Sequence, residues 1–99
     1  MSAYVISEVE ILDEAAAARY RELAAASITA HGGRYIVRGA EPLVAEGEPT
    51  RRRVVIVEFP SMEQLHHWYT SADYAAALRF RHTALERRLM FVQGLSPSP

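Results

Sequence analysis

Two segments of the chain are apolar at both odd and even positions. Residues 3–11 (AYVISEVEI) and 54–59 (VVIVEF) are rich in β-branched residues and place apolar side chains on both faces. This pattern is typical of strands that are covered on both sides. Both segments are therefore predicted to be central strands of a sheet.

Between these two strands lies a segment whose apolar residues recur with the period of a helix. Residues 14–31 are rich in alanine, and their larger apolar residues recur at intervals of three and four, which predicts a helix. Asp13 stands at the N-cap position. Gly32-Gly33 follows the last turn, where a left-handed residue commonly ends a helix.

The second half of the chain repeats the order of strand, helix and strand. Residues 61–64 (SMEQ) form a capping box, and the helix that they open is broken near Thr70 and restarts at Ser71. The predicted elements are strand 3–11, helix 14–31, strand 34–40, a polar arm 41–53, strand 54–59, helical pieces 61–69 and 71–87, and strand 89–93.

The order βαββαβ predicts an α+β fold of the ferredoxin-like type, a four-stranded antiparallel sheet with its helices on one face. Right-handed crossovers place the first and third strands in the centre, and these are the two strands that are apolar on both faces. One domain is expected over residues 1–94, followed by a disordered tail over 95–99.

One face of this sheet is left without helices. We assign to the helix side Val5, Val9, Val55, Val57, Met90 and Val92. The open face then carries Tyr4, Ile6, Val54, Ile56, Leu89 and Phe91. A monomer rarely exposes an apolar patch of this size. A second copy is therefore expected to cover it, which gives a homodimer through the open sheet face and a dimeric α/β barrel.

Composition excludes several kinds of chemistry. The chain has 99 residues, no cysteine, and 11 basic residues that are all arginine, which excludes disulfides, thiolate catalysis and lysine Schiff bases. The formal net charge of -1 favours neither nucleic acid nor a membrane as a partner. No export signal and no metal-ligand spacing is present. We expect a cytoplasmic protein without metal or cofactor.

Charged residues among apolar ones are the candidates for chemistry. The strand parity places Glu8 and Glu58 on the open face, where they line a pocket or mark a wet rim. A buried carboxylate gains the character of a general base, which makes Glu58 a catalytic candidate. Arg81 lies within the apolar stripe of the last helix. Glu58 is its natural partner, in a pair that is either structural or a site for a ligand anion.

Aromatic residues cluster at the break between the two helical pieces. Trp68, Tyr69 and Tyr74 are expected to pack in the core, with a lid over a pocket mouth as the functional alternative. The adjacent His66 and His67 point about 100° apart on a helix and cannot chelate one metal ion together.

Short segments spread over residues 3–94 carry a family signature. They are AYVI at 3–6, GGRYIVRG at 32–39, VEFPS at 57–61, the set Trp68, Tyr69, Ser71, Tyr74 and Arg81, and the closing Val92 and Gly94. As a set they resemble the small bacterial domain-of-unknown-function family thirteen-thirty.

The resemblance implies the dimeric α/β-barrel superfamily. Relatives there include cofactor-free antibiotic-biosynthesis monooxygenases, muconolactone isomerases and haem-dependent chlorite dismutases. The family itself has no established activity, and its recurring polar residues correspond to Arg38, Glu58, Ser71, Tyr74 and Arg81. His82 departs from the glutamine that members often carry.

Two functions of different classes follow from the sequence. The first is a homodimer that binds a small organic molecule in a cleft between sheet and helices and acts on it without a cofactor, like a monooxygenase or an isomerase. The pocket candidates are Tyr4, Glu8, Arg38, Glu58, Trp68, Ser71, Tyr74 and Arg81. The second is a non-catalytic dimeric module with a structural Arg81–Glu58 pair. A weaker third alternative is a haem protein with one axial histidine.

Overall fold

The computed structural model describes residues 1–95 and shows a four-stranded antiparallel sheet with three helices on one face. The elements are β1 (Ala3–Ile11), α1 (Glu14–Ala30), β2 (Arg34–Ala40), β3 (Arg53–Phe59), α2 (Met62–Tyr69), α3 (Ala72–Ala84) and β4 (Leu85–Gln93). Of the predicted tail 95–99, residues 96–99 lie outside the described part of the chain, and Leu95 is exposed.

The sheet order β2-β3-β1-β4 confirms that β1 and β3 are the central strands. All three neighbouring pairs are antiparallel, and Val5 of β1 lies opposite Val57 of β3. Both of these valines are buried against the helices. The βαββαβ order and the helices on one face are likewise confirmed.

The first two helices begin directly after the residues that the sequence marks as their caps. The side chain of Asp13 accepts the backbone N–H of Ala16 at 3.0 Å, and the Ser61 hydroxyl accepts that of Gln64 at 3.1 Å. These bonds satisfy backbone donors that have no partner within the helix.

The last helix is shorter than its sequence predicts. The prediction extends it to Arg87, but α3 ends at Ala84 and β4 begins at Leu85. Residues 85–88 pair with the far end of β1, where Leu85 lies opposite Ile11 and is itself buried. Hydrogen bonding to a neighbouring strand therefore overrides the helix propensity of this segment.

The predicted parity of β4 is wrong. Leu89 lies opposite Ser7 and Phe91 opposite Val5, so both point to the helix side, where they pack against the main core. Met90 and Val92 face the open side instead. Two apolar residues replace two others on the open face, so that face keeps its apolar character. Because β4 is apolar on both parities in this stretch, only its register with β1 distinguishes the faces.

The main core lies between the helices and the two central strands, β1 and β3, which contribute Ala3, Val5, Val57 and Phe59 to it. Tyr74, Phe59 and Leu65 are its largest fully buried side chains. The Trp68 ring packs between two of them, with its centroid 5.3 Å from Phe59 and 4.2 Å from Tyr74. The aromatic cluster predicted for the core is therefore part of it.

Candidate functional site

The residues predicted for the site fall on opposite faces of the sheet. Tyr4, Glu8 and Glu58 lie on the open face. Arg38 lies opposite Val55 and therefore on the helix side, as does Trp68 of α2. The sequence-predicted set is thus two separate groups, and only the helix-side group faces a cavity.

Glu58 is paired on the open face with Arg34. Nε and Nη2 of Arg34 lie 2.8 and 2.7 Å from Glu58 Oε1, and the Tyr4 hydroxyl donates to Oε2 at 3.3 Å. The hydrogen bonds from Arg34 hold the pKa of Glu58 below its usual value. A carboxylate with a lowered pKa is a weak base, so the geometry argues against Glu58 as a general base.

The predicted Arg81–Glu58 pair is wrong. Glu58 has Arg34 as its partner, and Arg81 lies across the sheet on α3. Arg81 lines a cavity of about 360 Å³ together with Tyr69, Leu78, His82, Arg87 and Leu89. The helical stripe placed Arg81 on the inner side of α3 correctly, but strand parity sends Glu58 to the other face.

A larger cavity, about 760 Å³ in volume, lies between the sheet and α1. Its volume is in the range of small-molecule sites. The walls are mainly apolar and are formed by Val5, Val9, Ala24, Ala25, Ile28, Tyr35, Val55, Val57, Trp68 and Leu89.

Arg87 and Tyr20 line this cavity, and Arg87 is hydrogen-bonded to Tyr20 and to the buried Tyr74 behind it. Arg87 Nη1 donates to the Tyr20 hydroxyl at 2.7 Å and its Nη2 to the Tyr74 hydroxyl at 2.8 Å. The two hydroxyl oxygens are 2.6 Å apart. Arg87 is half-buried, yet no carboxylate of the described residues lies within 4.0 Å of its guanidinium.

This network keeps Tyr74 protonated and Arg87 charged. Burial, with the nearby Tyr20 hydroxyl, raises the pKa of Tyr74 far above its usual value. Burial alone would lower the pKa of Arg87, but the Tyr20 and Tyr74 hydroxyls outweigh it and leave that pKa raised. The cluster therefore combines a permanent positive charge at Arg87 with a neutral hydroxyl group at Tyr74.

Sequence reasoning missed Arg87 because it assigned residues 71–87 to a helix. On that helix Arg87 is one of several surface arginines, whereas on β4 it lies opposite Val9 and faces the helices. The alternation Leu85, Arg87, Leu89 was the available signal, since a charge between two apolar residues of one strand face points inward.

Ser7 is a second polar group of the cavity. It is 4% exposed and lines the cavity from β1, two residues before Val9. Its hydroxyl has no hydrogen-bond partner among the described residues. A buried hydroxyl without a protein partner is uncommon and calls for a reason.

Trp68, Ser71 and Tyr74 reach the site in different ways. Trp68 lines the cavity, and its Nε1 donates to the Ser27 hydroxyl at 2.9 Å. Ser71 is the N-cap of α3, where its hydroxyl accepts the N–H of Tyr74 and donates to the carbonyl of Trp68. Ser71 thus positions two aromatic residues and does not itself line the cavity.

Arginines outnumber acidic residues in the lining of the cavity, which contains Arg21, Arg38, Arg51, Arg53 and Arg87 beside Glu10, Glu14 and Glu22. Arg38, Arg51 and Arg53 are exposed residues of its lining, and Arg38 lies over the ring of Tyr35, 4.2 Å from its centroid. None of these three has a carboxylate within 4.0 Å among residues 1–95. The lining therefore carries an excess of positive charge, and its exposed and half-buried arginines include several without a close carboxylate.

The described residues form neither a metal site nor a membrane span. Within residues 1–95, no three histidine or acidic side chains are arranged to hold a metal ion. No helix in the same range has the length and apolar content needed to cross a bilayer.

The fold occurs in several solved structures, among them an oxygenase and two proteins of unknown function. A protein of unknown function from Rhodopseudomonas palustris is 20% identical with a TM-score of 0.79, over 97% of this chain and 84% of that one. SnoaB, a cofactor-independent oxygenase from Streptomyces nogalater, is 10% identical with a TM-score of 0.66, over 99% and 97%. A dimeric protein of unknown function and ferredoxin-like fold from Bacteroides fragilis is 11% identical with a TM-score of 0.61, over 94% and 96%.

At these identities the likenesses establish the fold alone. No curated protein matches the sequence. A family match, in contrast, covers residues 2–95, nearly the whole chain, and agrees with the resemblance found in its motifs. The chain belongs to the family described as "Domain of unknown function (DUF1330)".

Proposed function

We propose that this protein binds a small organic molecule in the cavity between the sheet and α1. The observation that carries the proposal is a mainly apolar cavity of about 760 Å³ that contains a buried serine hydroxyl without a protein partner. Apolar walls with a few placed polar groups are the usual composition of a small-molecule site.

The reaction that this cavity suits best is one that passes through an oxyanion. Arg87 and Tyr20 are fixed donors in its lining, and preorganised donors stabilise charge that develops on an oxygen. Cofactor-independent oxygenation is described for SnoaB, which shares this fold. Monooxygenase- or isomerase-like chemistry therefore belongs to the proposal, with Arg87 in place of Glu58 and Arg81 as the central charged residue.

The proposal includes a homodimer formed through the open face of the sheet. That face carries Tyr4, Ile6, Val54, Ile56, Met90 and Val92, and Val92 is 41% exposed. Covering such a face removes apolar surface from water. The described dimer from Bacteroides fragilis has the same fold. The non-catalytic alternative loses its supporting contact, since the Arg81–Glu58 pair is not formed.

Filling the cavity tests the binding proposal. Ala25 lines the cavity from α1, whereas its neighbour Ala26 is exposed and does not. Cinnamate and its neutral analogue cinnamamide serve as probes in titration calorimetry at neutral pH. We expect the wild type to bind at least one probe, Ala25→Phe to lose that binding, and Ala26→Phe to retain it. Absence of binding of both probes up to millimolar concentration, or equal binding by all three proteins, would overturn the proposal.

A further inference from the structure

Arg87 is a half-buried cation, and no carboxylate of the described residues lies within 4.0 Å of its guanidinium. Burying an unpaired charge is costly, so a buried arginine is normally paired with an anion. The two tyrosine hydroxyls satisfy two of its five N–H groups but supply no negative charge. This part of the cavity lining is therefore built to accept an anion.

Counting protons shows which tyrosine is free to donate to a ligand. Both hydroxyl oxygens accept from Arg87, and one hydroxyl hydrogen is used in the bond between Tyr20 and Tyr74. Tyr74 is fully buried and does not line the cavity, whereas Tyr20 does. When Tyr74 donates to Tyr20, the hydrogen of Tyr20 remains available for an acceptor in the cavity.

Ser7 supplies another hydroxyl on the same face of the sheet. Ser7 lies opposite Leu89, and Arg87 lies opposite Val9, so the two occupy neighbouring diagonal positions of the β1–β4 pair. Diagonal neighbours of this kind have Cα atoms about 7–8 Å apart, which one small group between them can bridge.

We infer that the ligand is an apolar molecule with one anionic oxygen group, a carboxylate or an enolate, held by Arg87, Tyr20 and Ser7. This inference rests on the proposed function and names its ligand class. The apolar body lies along Val5, Val55, Val57 and Ile28, which line the same cavity. Arg38, Arg51 and Arg53 are exposed in the lining, where arginines outnumber Glu10, Glu14 and Glu22, and this excess of positive charge attracts the anion from solution.

The paired probes test this assignment in the wild-type protein. Cinnamate and cinnamamide have nearly the same shape and differ in charge. We expect cinnamate to bind about tenfold or more tightly than cinnamamide, since a hydrogen bond to a charged group is stronger than a neutral one. Equal affinities would overturn the anion assignment and leave the proposed binding intact. Binding of neither probe would remove the proposed function and, with it, this inference.

Variants then test which residues cause the preference. Arg87→Met is expected to abolish the preference for cinnamate while cinnamamide binding persists. Tyr20→Phe, which keeps the ring and removes one hydroxyl, is expected to reduce the preference severalfold. Arg79→Met is the matched control, since Arg79 is exposed on α3 and lines neither cavity. If Arg87→Met does not fold, the preference of Tyr20→Phe for cinnamate over cinnamamide tests the assignment instead. If folded Arg87→Met or Tyr20→Phe prefers cinnamate over cinnamamide as strongly as the wild type does, the assignment is wrong.

Discussion

At the residue scale, the direction of a side chain decides its role. Glu58 and Arg87 are both charged residues on apolar strands, yet they face opposite sides of one sheet. Glu58 meets Arg34 at 2.7 Å, whereas Arg87 meets only hydroxyl groups. A charge with a counter-charge is a completed structural contact. A charge without one is free to bind an external anion, which is the role proposed for Arg87.

Two buried serines make a matched pair for testing the cavity. Ser27 accepts from Trp68 Nε1 at 2.9 Å and donates to the Ala24 carbonyl at 2.8 Å, whereas Ser7 has no partner among the described residues. Ser27→Ala leaves a buried N–H unpaired, which costs about 1–3 kcal/mol and lowers Tm by about 5 °C or more. Ser7→Ala removes no protein hydrogen bond and is expected to keep or raise Tm. Thermal unfolding of both variants checks this, and a large loss of stability in Ser7→Ala would show that its hydroxyl has a structural partner.

Glu58→Gln separates the open face from the cavity. Because Arg34 lowers the pKa of Glu58, the ionised carboxylate stabilises the fold above its usual pKa of 4.5. That contribution is lost as pH falls through the lower pKa of the folded state. We therefore expect the Tm of the wild type to fall more steeply below pH 4.5 than that of Glu58→Gln, while cinnamate binding at neutral pH is the same in both. Loss of cinnamate binding in Glu58→Gln would instead show that Glu58 takes part in ligand binding.

At the scale of elements, the junction of α2 and α3 holds the aromatic side of the site. Ser71 links the two helices because it caps α3 and donates to the Trp68 carbonyl at 2.7 Å. In the sequence Ser71 is the residue at which the second helical piece restarts, and the family resemblance makes it a recurring polar residue. The structure assigns it the role of a cap and explains how a cap bears on the cavity, through Trp68 and Tyr74.

Ser71→Ala is predicted to act on stability rather than on ligand contacts. Loss of an N-cap costs about 1 kcal/mol. We expect a lower Tm, measured by thermal unfolding, and cinnamate affinity that changes less than threefold. Ser71→Asp, which keeps an oxygen acceptor at the cap, is expected to recover most of the Tm. A variant with normal Tm and no binding would instead place the Ser71 hydroxyl on the ligand.

At the scale of the whole molecule, the two faces of the sheet serve different purposes. The helix side contains the core and the cavity, and the open side presents an apolar surface with the Glu58–Arg34 pair at one end. Dimerisation through the open face would leave the cavity accessible, since the cavity lies on the other side of β1 and β3. Assembly and binding are therefore expected to be separable.

A charge on the open face tests the dimer. Ile56 lies in the middle of β3 on that face, while Leu43 is 97% exposed in the arm outside the sheet. Burying an unpaired carboxylate at an interface is costly, so Ile56→Asp is expected to be a folded monomer. Leu43→Asp is expected to remain a dimer. Light scattering after size exclusion gives the mass, and a monomeric wild type or a dimeric Ile56→Asp would contradict the proposed interface.

The sequence by itself determined the element order and the central strands of this protein. Those features follow from local causes: β-branched residues on both parities in 3–11 and 54–59, and capping side chains at Asp13, Ser61 and Ser71. Capping hydrogen bonds and the period of a strand depend only on residues that are close in sequence, so they can be predicted without the fold.

Only the tertiary structure decided the faces of β4 and the membership of the site. Residues 89–92 are apolar on both parities, so their register with β1, a contact between the two ends of the chain, selects the inner face. The same register turns Arg87 inward and brings Tyr20 and Tyr74 to it. The alternation Leu85, Arg87, Leu89 indicates locally that Arg87 shares a face with apolar residues. That Tyr20 of α1 and Tyr74 of α3 meet it there depends on long-range packing, which no local pattern contains.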